Sequence, residues 1–139
     1  MRGRYSHNLD AKGRVFVPAK MREVLGDTFI VAKVMEPCIC LYTVEGWQAM
    51  LEKLEELPMT KSRALLRYLS SNAVDAQVDA QGRVVLPKHL IEHAGLEKET
   101  LIIGAGANRA EIWNPTRYEE IVGGMNEEDI IADFMALGL

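Results

Sequence analysis

The chain has 139 residues, 48% of them hydrophobic and 26% charged, with a formal net charge of −4. A chain of this length buries roughly two-thirds of its unfolded surface, so it can hold a core without staples. No apolar run approaches the roughly 18 residues of a membrane helix and no signal-peptide pattern opens the chain, so a reduced, soluble, cytoplasmic protein is expected. The charge is uneven. Residues 1–22 hold Arg2, Arg4, Lys12, Arg14, Lys20 and Arg22 against Asp10 alone, and the rest is correspondingly acidic. Such asymmetry suggests a basic contact surface on an acidic body.

Arg4 to Leu9 and Arg14 to Val17 read as the two strands of a hairpin around a loop containing Gly13. Pro18 cannot donate to a ladder and suits the first turn of a helix. That helix runs to Leu25, with Met21, Val24 and Leu25 on one face and Gly26 ending it. Thr28 to Val34 is apolar and β-branched, Glu36-Pro37 turns it, and Cys38 to Tyr42 runs back. Thr43 caps a helix from Val44 to Leu57, where Trp47, Met50, Leu51, Leu54 and Leu57 fall at helical spacing. After Pro58, Thr60 is placed to cap a helix through Leu69, with Leu65, Tyr68 and Leu69 as its apolar stripe.

The pattern then starts again. Val74, Ala76 and Val78 alternate with polar residues as a half-buried strand, followed by a loop at Gly82 and a strand from Arg83 to Leu86. A helix spans Pro87 to His93, and strands Thr100–Ile103 and Ala110–Trp113 follow. Asn114-Pro115 opens a helix through Val122, stopped by Gly123-Gly124. Asn126 resembles a further helix start, with Ile130, Ile131, Phe134 and Leu137 as its apolar face. Packing on its own subunit is the simpler expectation for this acidic tail, ahead of an intersubunit contact.

The two halves are one sequence unit written twice. Asp10-Ala11-Lys12-Gly13-Arg14 returns 69 positions later as Asp79-Ala80-Gln81-Gly82-Arg83, and Pro18, Glu23 and Gly26 return as Pro87, Glu92 and Gly95. In each loop the Asp can accept bonds from the backbone two residues on, and Gly13 or Gly82 supplies φ > 0 at no steric cost. The expected organisation is a first repeat over 1–57, a helical connector over 58–72, a second repeat over 73–122 and an acidic helix or tail over 123–139. The pseudo-symmetric order of elements favours two interlocked small β-barrels with peripheral helices.

Several motifs carry a family resemblance. They are Arg2-Gly3-x-Tyr5-x-His7-x-Leu9-Asp10-Ala11-Lys12-Gly13-Arg14, Pro18-Ala19-Lys20-x-Arg22-Glu23, Asp79-x-Gln81-Gly82-Arg83-x-x-x-Pro87, Ala94-Gly95-Leu96 and Asn108-Arg109-x-Glu111-Ile112-Trp113. With them the chain resembles the MraZ family of bacterial transcriptional regulators over residues 1–122, while the stretch after Gly124 lies outside the quoted pattern. The resemblance implies an α+β fold of two tandem swapped-hairpin, AbrB-like half-barrels joined into one pseudo-symmetric β-barrel body with peripheral helices. It further implies a DNA-binding regulator at promoters of the cell-division and cell-wall gene cluster, nucleoid-associated, and a homo-oligomeric ring.

The candidate DNA-binding residues are Arg14 and Arg83, assisted by Lys12 and Gln81, with Arg2 and Arg4 reaching from a mobile terminus. An arginine fork can bridge phosphates or take O6 and N7 of guanine. Asp10, Gly13, Asp79 and Gly82 shape the loops. A purely structural role, each Asp/Arg pair pinning its own hairpin, is compatible with the same residues. Lys12 has no basic counterpart in the second copy, so the first loop is expected to carry more of the electrostatics. If the pairs are only structural, the alternative is a ring-forming interaction scaffold that does not bind DNA.

His89-Leu90-Ile91-Glu92-His93 matches a metalloprotease zinc pattern and offers a zinc-hydrolase reading through His89, Glu92 and His93. The first repeat has no His at the equivalent place, and the helix is short, so a chance match is preferred. Gly104-Ala105-Gly106 lacks the helix a dinucleotide loop needs and reads as a strand–strand turn. Cys38-x-Cys40 lacks a second pair and reads as core. Trp47 and Trp113 read as matching core positions of the two halves. No catalytic residue, metal, cofactor, small-molecule substrate or membrane partner is expected; the expected partners are double-stranded promoter DNA and further copies of the chain.

Overall fold

Phe29–Ala32 and Ile39–Tyr42 are buried at every position, because both strands lie inside a sheet covered on both faces. The computed structural model describes residues 1–139. Its strands are β1 (Arg4–Asn8), β2 (Arg14–Phe16), β3 (Phe29–Ala32), β4 (Ile39–Tyr42), β5 (Val74–Ala76), β6 (Arg83–Val85), β7 (Glu99–Gly104) and β8 (Arg109–Trp113). Its helices are α1 (Ala19–Leu25), α2 (Val44–Lys53), α3 (Met59–Asn72), α4 (Lys88–Ala94), α5 (Pro115–Ile121) and α6 (Glu127–Ala136), with a 3-10 turn at Leu54–Glu56.

The fold is α+β, and the two halves are interleaved. Six antiparallel strands form one sheet in the order β1-β7-β8-β4-β3-β5, and β2 pairs with β6 as a separate two-stranded ribbon. The first repeat's β1 therefore pairs with the second repeat's β7, and β5 pairs with β3. This corrects the simple hairpin expected from the sequence. Asp10 N still donates to Arg14 O (2.9 Å) and closes the loop, but its two strands then part, one to the sheet and one to the ribbon.

Alternation along the central strands sorts side chains to the two faces. Phe29, Val31, Ile39, Leu41, Ile102, Ala110 and Ile112 join a core with Val15, Val84, Met21 and Leu90, beneath the ribbon and α1/α4. Ile30, Ala32, Cys38, Cys40, Tyr42, Leu101 and Trp113 join a second core with Trp47 and Leu69, beneath α2 and α3.

Trp47 and Trp113 are both buried, as expected, but they are not each other's counterparts. Tyr42 at the end of β4 meets Trp47 in α2 with ring centroids 5.5 Å apart; Trp113 at the end of β8 meets Tyr118 in α5 at 5.6 Å. Between each pair stands the helix cap, Thr43 in one half and Asn114 in the other, both accepting from backbone amides of the following turn.

Other expectations change at the helix ends. Pro18 and Pro87 stand at the N-cap, one position before the first helical residue. Pro58, not Thr60, occupies that place in α3, which continues past Leu69 to Asn72. Asn72 fixes this end: its Oδ1 accepts from Lys33 N (2.8 Å), and its Nδ2 donates to Lys33 O (3.0 Å) and Tyr68 O (2.9 Å). Of the stripe Leu65, Tyr68 and Leu69, only Leu69 is buried; Val24 of α1 and Leu57 are likewise exposed.

Ile112 is fully buried on the central strand β8. Ile112→Ala should lower the unfolding free energy by about 2–5 kcal/mol, read from a urea transition; a loss below about 1 kcal/mol would contradict the assigned core.

Candidate nucleic-acid interface

Each duplicated loop is built around one carboxylate. Asp10 Oδ1 accepts from the amides of Lys12 (2.9 Å) and Arg14 (2.8 Å), while Oδ2 accepts from Arg14 Nε (2.7 Å). Asp79 repeats this with Gln81 N (2.9 Å), Arg83 N (2.9 Å) and Arg83 Nε (2.9 Å). Gly13 and Gly82 follow with φ of 76° and 80°, each donating its amide to the Asp carbonyl at 3.0 Å. The Asp thus does two jobs. It fixes the backbone turn, and it orients a guanidinium by its Nε, leaving the terminal nitrogens of the fork for another partner.

The ribbon then brings the loops together. Arg14 lies opposite Val85 and Phe16 opposite Arg83, so each loop abuts the other repeat's strand. Val17 N donates to Gly82 O (2.9 Å) and Leu86 N to Gly13 O (2.8 Å). Arg83 Nη1 reaches to 4.0 Å from Asp10 Oδ2, linking the two loops. The Arg14 and Arg83 side chains keep 27% and 30% of their surface open, and the tip residues Lys12 and Gln81 are exposed.

The two loops differ in what lies under them. Arg22 of α1 extends beneath the second loop, its guanidinium 5.2 Å from the centre of the Phe16 ring, and a Cβ on Gly82 would meet its Nη1 at 2.8 Å. The equivalent position under the first loop is Ile91, whose Cδ1 lies 3.3 Å from a Cβ built on Gly13. The first loop therefore adds Lys12 at its tip, and the second adds Arg22 from below. Both further cations come from the first repeat, and one of them stands beside the second loop. Arg22 belongs to a quoted motif, but the sequence alone gave no sign that it crosses to the other repeat's loop.

Arg2 and Arg4 are elsewhere. Arg4 begins β1, six residues before Asp10, which at about 3.3 Å per residue puts it about 20 Å along the strand from the loop. Its guanidinium pairs with Glu119 Oε1 (3.4 Å) and lies over the Tyr118 ring (5.3 Å). The expected mobile terminus is instead laid along the β7–β8 turn: the Met1 amine bonds to Gly106 O, and Gly104 N donates to Gly3 O.

The two histidines of the zinc-like motif point to different places. His89 Nε2 bonds to Asn72 O (3.0 Å), and His93 Nε2 to Glu36 O (3.0 Å). Cys38, Cys40 and Glu111 do converge, their ligand-type atoms within 4.8 Å of one another. The Glu111 oxygens are already engaged by Trp113 Nε1 (3.1 Å) and Arg109 Nη2 (3.1 Å). The contact with Cys40 (Sγ···Sγ 4.0 Å) and burial push the Cys38 thiol well up, which keeps it neutral. The group reads as part of the core.

The bond from the Arg14 amide, first among several, holds the Asp10 carboxyl below the usual carboxylate range, and the Arg83 amide does the same for Asp79. A carboxyl with a lowered folded-state pKa stabilises the fold above its unfolded value and loses that contribution as pH falls through the folded one. The amide NMR signals of Lys12, Arg14, Gln81 and Arg83 should hold steady from neutral pH through the ordinary carboxylate range and lose dispersion together below it. Asp10→Asn/Asp79→Asn should remove that acid transition; its persistence in the double variant would contradict the assignment.

The comparisons agree with the duplicated geometry. The family model described as "MraZ protein, putative antitoxin-like" matches residues 1–67 and residues 69–137. The second match runs through α6, so the family pattern extends beyond the 122 residues over which the motifs carry the resemblance. The transcriptional regulator MraZ of Heliobacterium modesticaldum is 47% identical over 120 residues, 85% of this chain and 83% of that protein. Those of Ligilactobacillus salivarius and Acetivibrio thermocellus are 44% and 41% identical, covering 96% and 97% of this chain and 94% and 96% of theirs. With two matches that together take in nearly every residue, and relatives this similar over most of their length, the chain belongs to the MraZ family.

Proposed function

We propose that this chain is a transcriptional regulator, not an enzyme, that binds double-stranded promoter DNA through its paired Asp-x-x-x-Arg loops. The carrying observation is that β2–β6 pairing sets both loops side by side with their braced arginines adjacent. Lys12, Arg14, Arg22 and Arg83 outnumber Asp10 and Asp79 there, leaving a local positive excess on an otherwise acidic chain. Its relatives are named as transcriptional regulators. The exchange of β1 and β5 between repeats supports the swapped-hairpin, AbrB-like reading and a pseudo-symmetric barrel-like body.

The magnitudes favour several copies acting together. A handful of phosphate contacts gives non-specific dissociation constants on the order of 10⁻⁴–10⁻⁶ M at physiological salt. A homo-oligomeric ring presenting the loop pair to repeated sites adds about 10²–10⁴ through effective concentration. The proposed targets are promoters of the cell-division and cell-wall cluster, and the proposed location is the nucleoid in the cytoplasm. No helix is long and apolar enough to cross a membrane. Neither a cofactor nor a small-molecule substrate enters this reading.

The modest exposure of Arg14 and Arg83 favours a second reading, in which the pairs only hold the loops and the protein is an interaction scaffold. A promoter titration separates the two. Arg14→Ala and Arg83→Ala should each weaken binding about 5- to 150-fold, the equivalent of about 1–3 kcal/mol per lost bidentate contact, with circular dichroism unchanged. Lys12→Ala should reduce the log–log salt slope by about 0.9 per chain engaged. Unchanged affinity in both arginine variants, or no shift of promoter DNA by the wild type at physiological salt, would favour the scaffold.

A further inference from the structure

Alternation along the ribbon sends Val15 and Val84 into the core and leaves Arg14, Phe16, Arg83 and Val85 on the outer face. Cross-strand pairing arranges them as two couples, Arg14 beside Val85 and Phe16 beside Arg83. Phe16 and Val85 are the same position of the repeat, 69 residues apart. Their surroundings differ. The Phe16 ring has the His7 ring at 5.0 Å and the Arg22 guanidinium at 5.2 Å, and it is half-buried. In the second copy Ala76 stands at the place of His7 and Ile91 at that of Arg22. Val85 is left 59% exposed, directly opposite Arg14 and on the same strand as Arg83.

A single exposed valine is ordinary on a protein surface. This one stands among the cations proposed to meet DNA, and the apolar groups it can touch there are few. Along the base edges of a duplex the apolar feature is the C5 methyl of thymine, and it lies in the major groove. The shape of the ribbon selects the same groove. Two strands about 4.8 Å apart, with their outward side chains, are too broad for a minor groove about 6 Å wide. A major groove about 12 Å wide admits a two-stranded ribbon.

We propose that the β2–β6 ribbon enters the major groove and that Val85 sets specificity by packing on the C5 methyl of a thymine. The contact rests on the DNA binding proposed above and adds to it the groove and the base that are read. Arg14 and Arg83 hold the ribbon in the groove, since contacts to phosphate fix register and contacts to base edges carry the sequence. Phe16, shielded by Arg22 and His7, makes no equivalent contact. The two ends of the ribbon therefore read DNA differently, although the loops are duplicated.

Thymine-to-uracil scanning of a promoter duplex tests it on the full chain. Each exchange deletes one C5 methyl and keeps the base pair and its minor-groove edge. At the contacted thymine it should weaken wild-type binding about fourfold, the effect of one buried methyl-sized group. Val85→Ala should lose a similar factor on the unmodified duplex and be indifferent to uracil at that position. Val85→Thr, which keeps one methyl, should retain part of the sensitivity. Neither variant should move the thermal midpoint, since Val85 lies outside both cores. If the wild type shifts the duplex but no exchange changes its affinity, or if Val85→Ala keeps the full sensitivity, the thymine contact is wrong and the DNA reading stands. A lower mass of Val85→Ala in light scattering would show this side chain covering another copy instead, and would equally overturn the contact. If the wild type shifts no promoter duplex at physiological salt, the DNA reading itself fails, and this inference with it.

Discussion

The antiparallel pairing of β2 with β6 is the constraint on which the rest depends. Three residue pairs, Arg14 with Val85, Val15 with Val84 and Phe16 with Arg83, join the repeats. Val15 and Val84 point inward and are buried in the larger core. The arginines leave the ribbon at its two ends, where each is gripped by the carboxylate four residues before it. If the ribbon opened, each loop would keep its own turn but lose its neighbour, and the adjacent cations would separate. Core packing and the presentation of the basic surface therefore share a single element.

The duplication is imperfect in an informative way. Positions that set geometry are kept in both copies: Asp, Gly, Arg and Pro at the loop and strand end, and a capping residue before α2 and α5. Some of the other charged positions are not. Lys12 corresponds to Gln81 in the second copy, and Arg22 to Ile91. Since α1 lies under the second loop, a cation from the first repeat serves the loop that lacks its own lysine. The repeats thus complement each other across the ribbon, and neither copy alone contains the full basic set.

Much of this was legible in the sequence because it is local. The Asp-to-Arg loop needs only five residues of backbone chemistry to be recognised, and its hydrogen bonds are alike in both copies. Thr43, Asn114 and Asn126 were readable as caps for the same reason. What the chain order hid was partner choice. Arg4 to Asn8 is a strand, as its neighbours suggested, yet it pairs with β7, some ninety-odd residues away, instead of with β2. Local pattern sets a strand's face and not its neighbour. The same gap explains α3 and α6. Apolar spacing identified their stripes, but spacing does not say whether a stripe is covered by its own chain, and Leu65, Tyr68 and Phe134 are not. Arg22 was missed because its contact with Gly82 crosses sixty positions of sequence.

The central claim is that two loops from different repeats act as one DNA-facing surface. Backbone hydrogen exchange of the full chain, with and without promoter duplex, tests this most directly. The account predicts that DNA slows exchange at Lys12–Arg14 and Gln81–Arg83 together, at the same concentration of duplex. Protection of one loop only, or of neither while the duplex is bound, would contradict it.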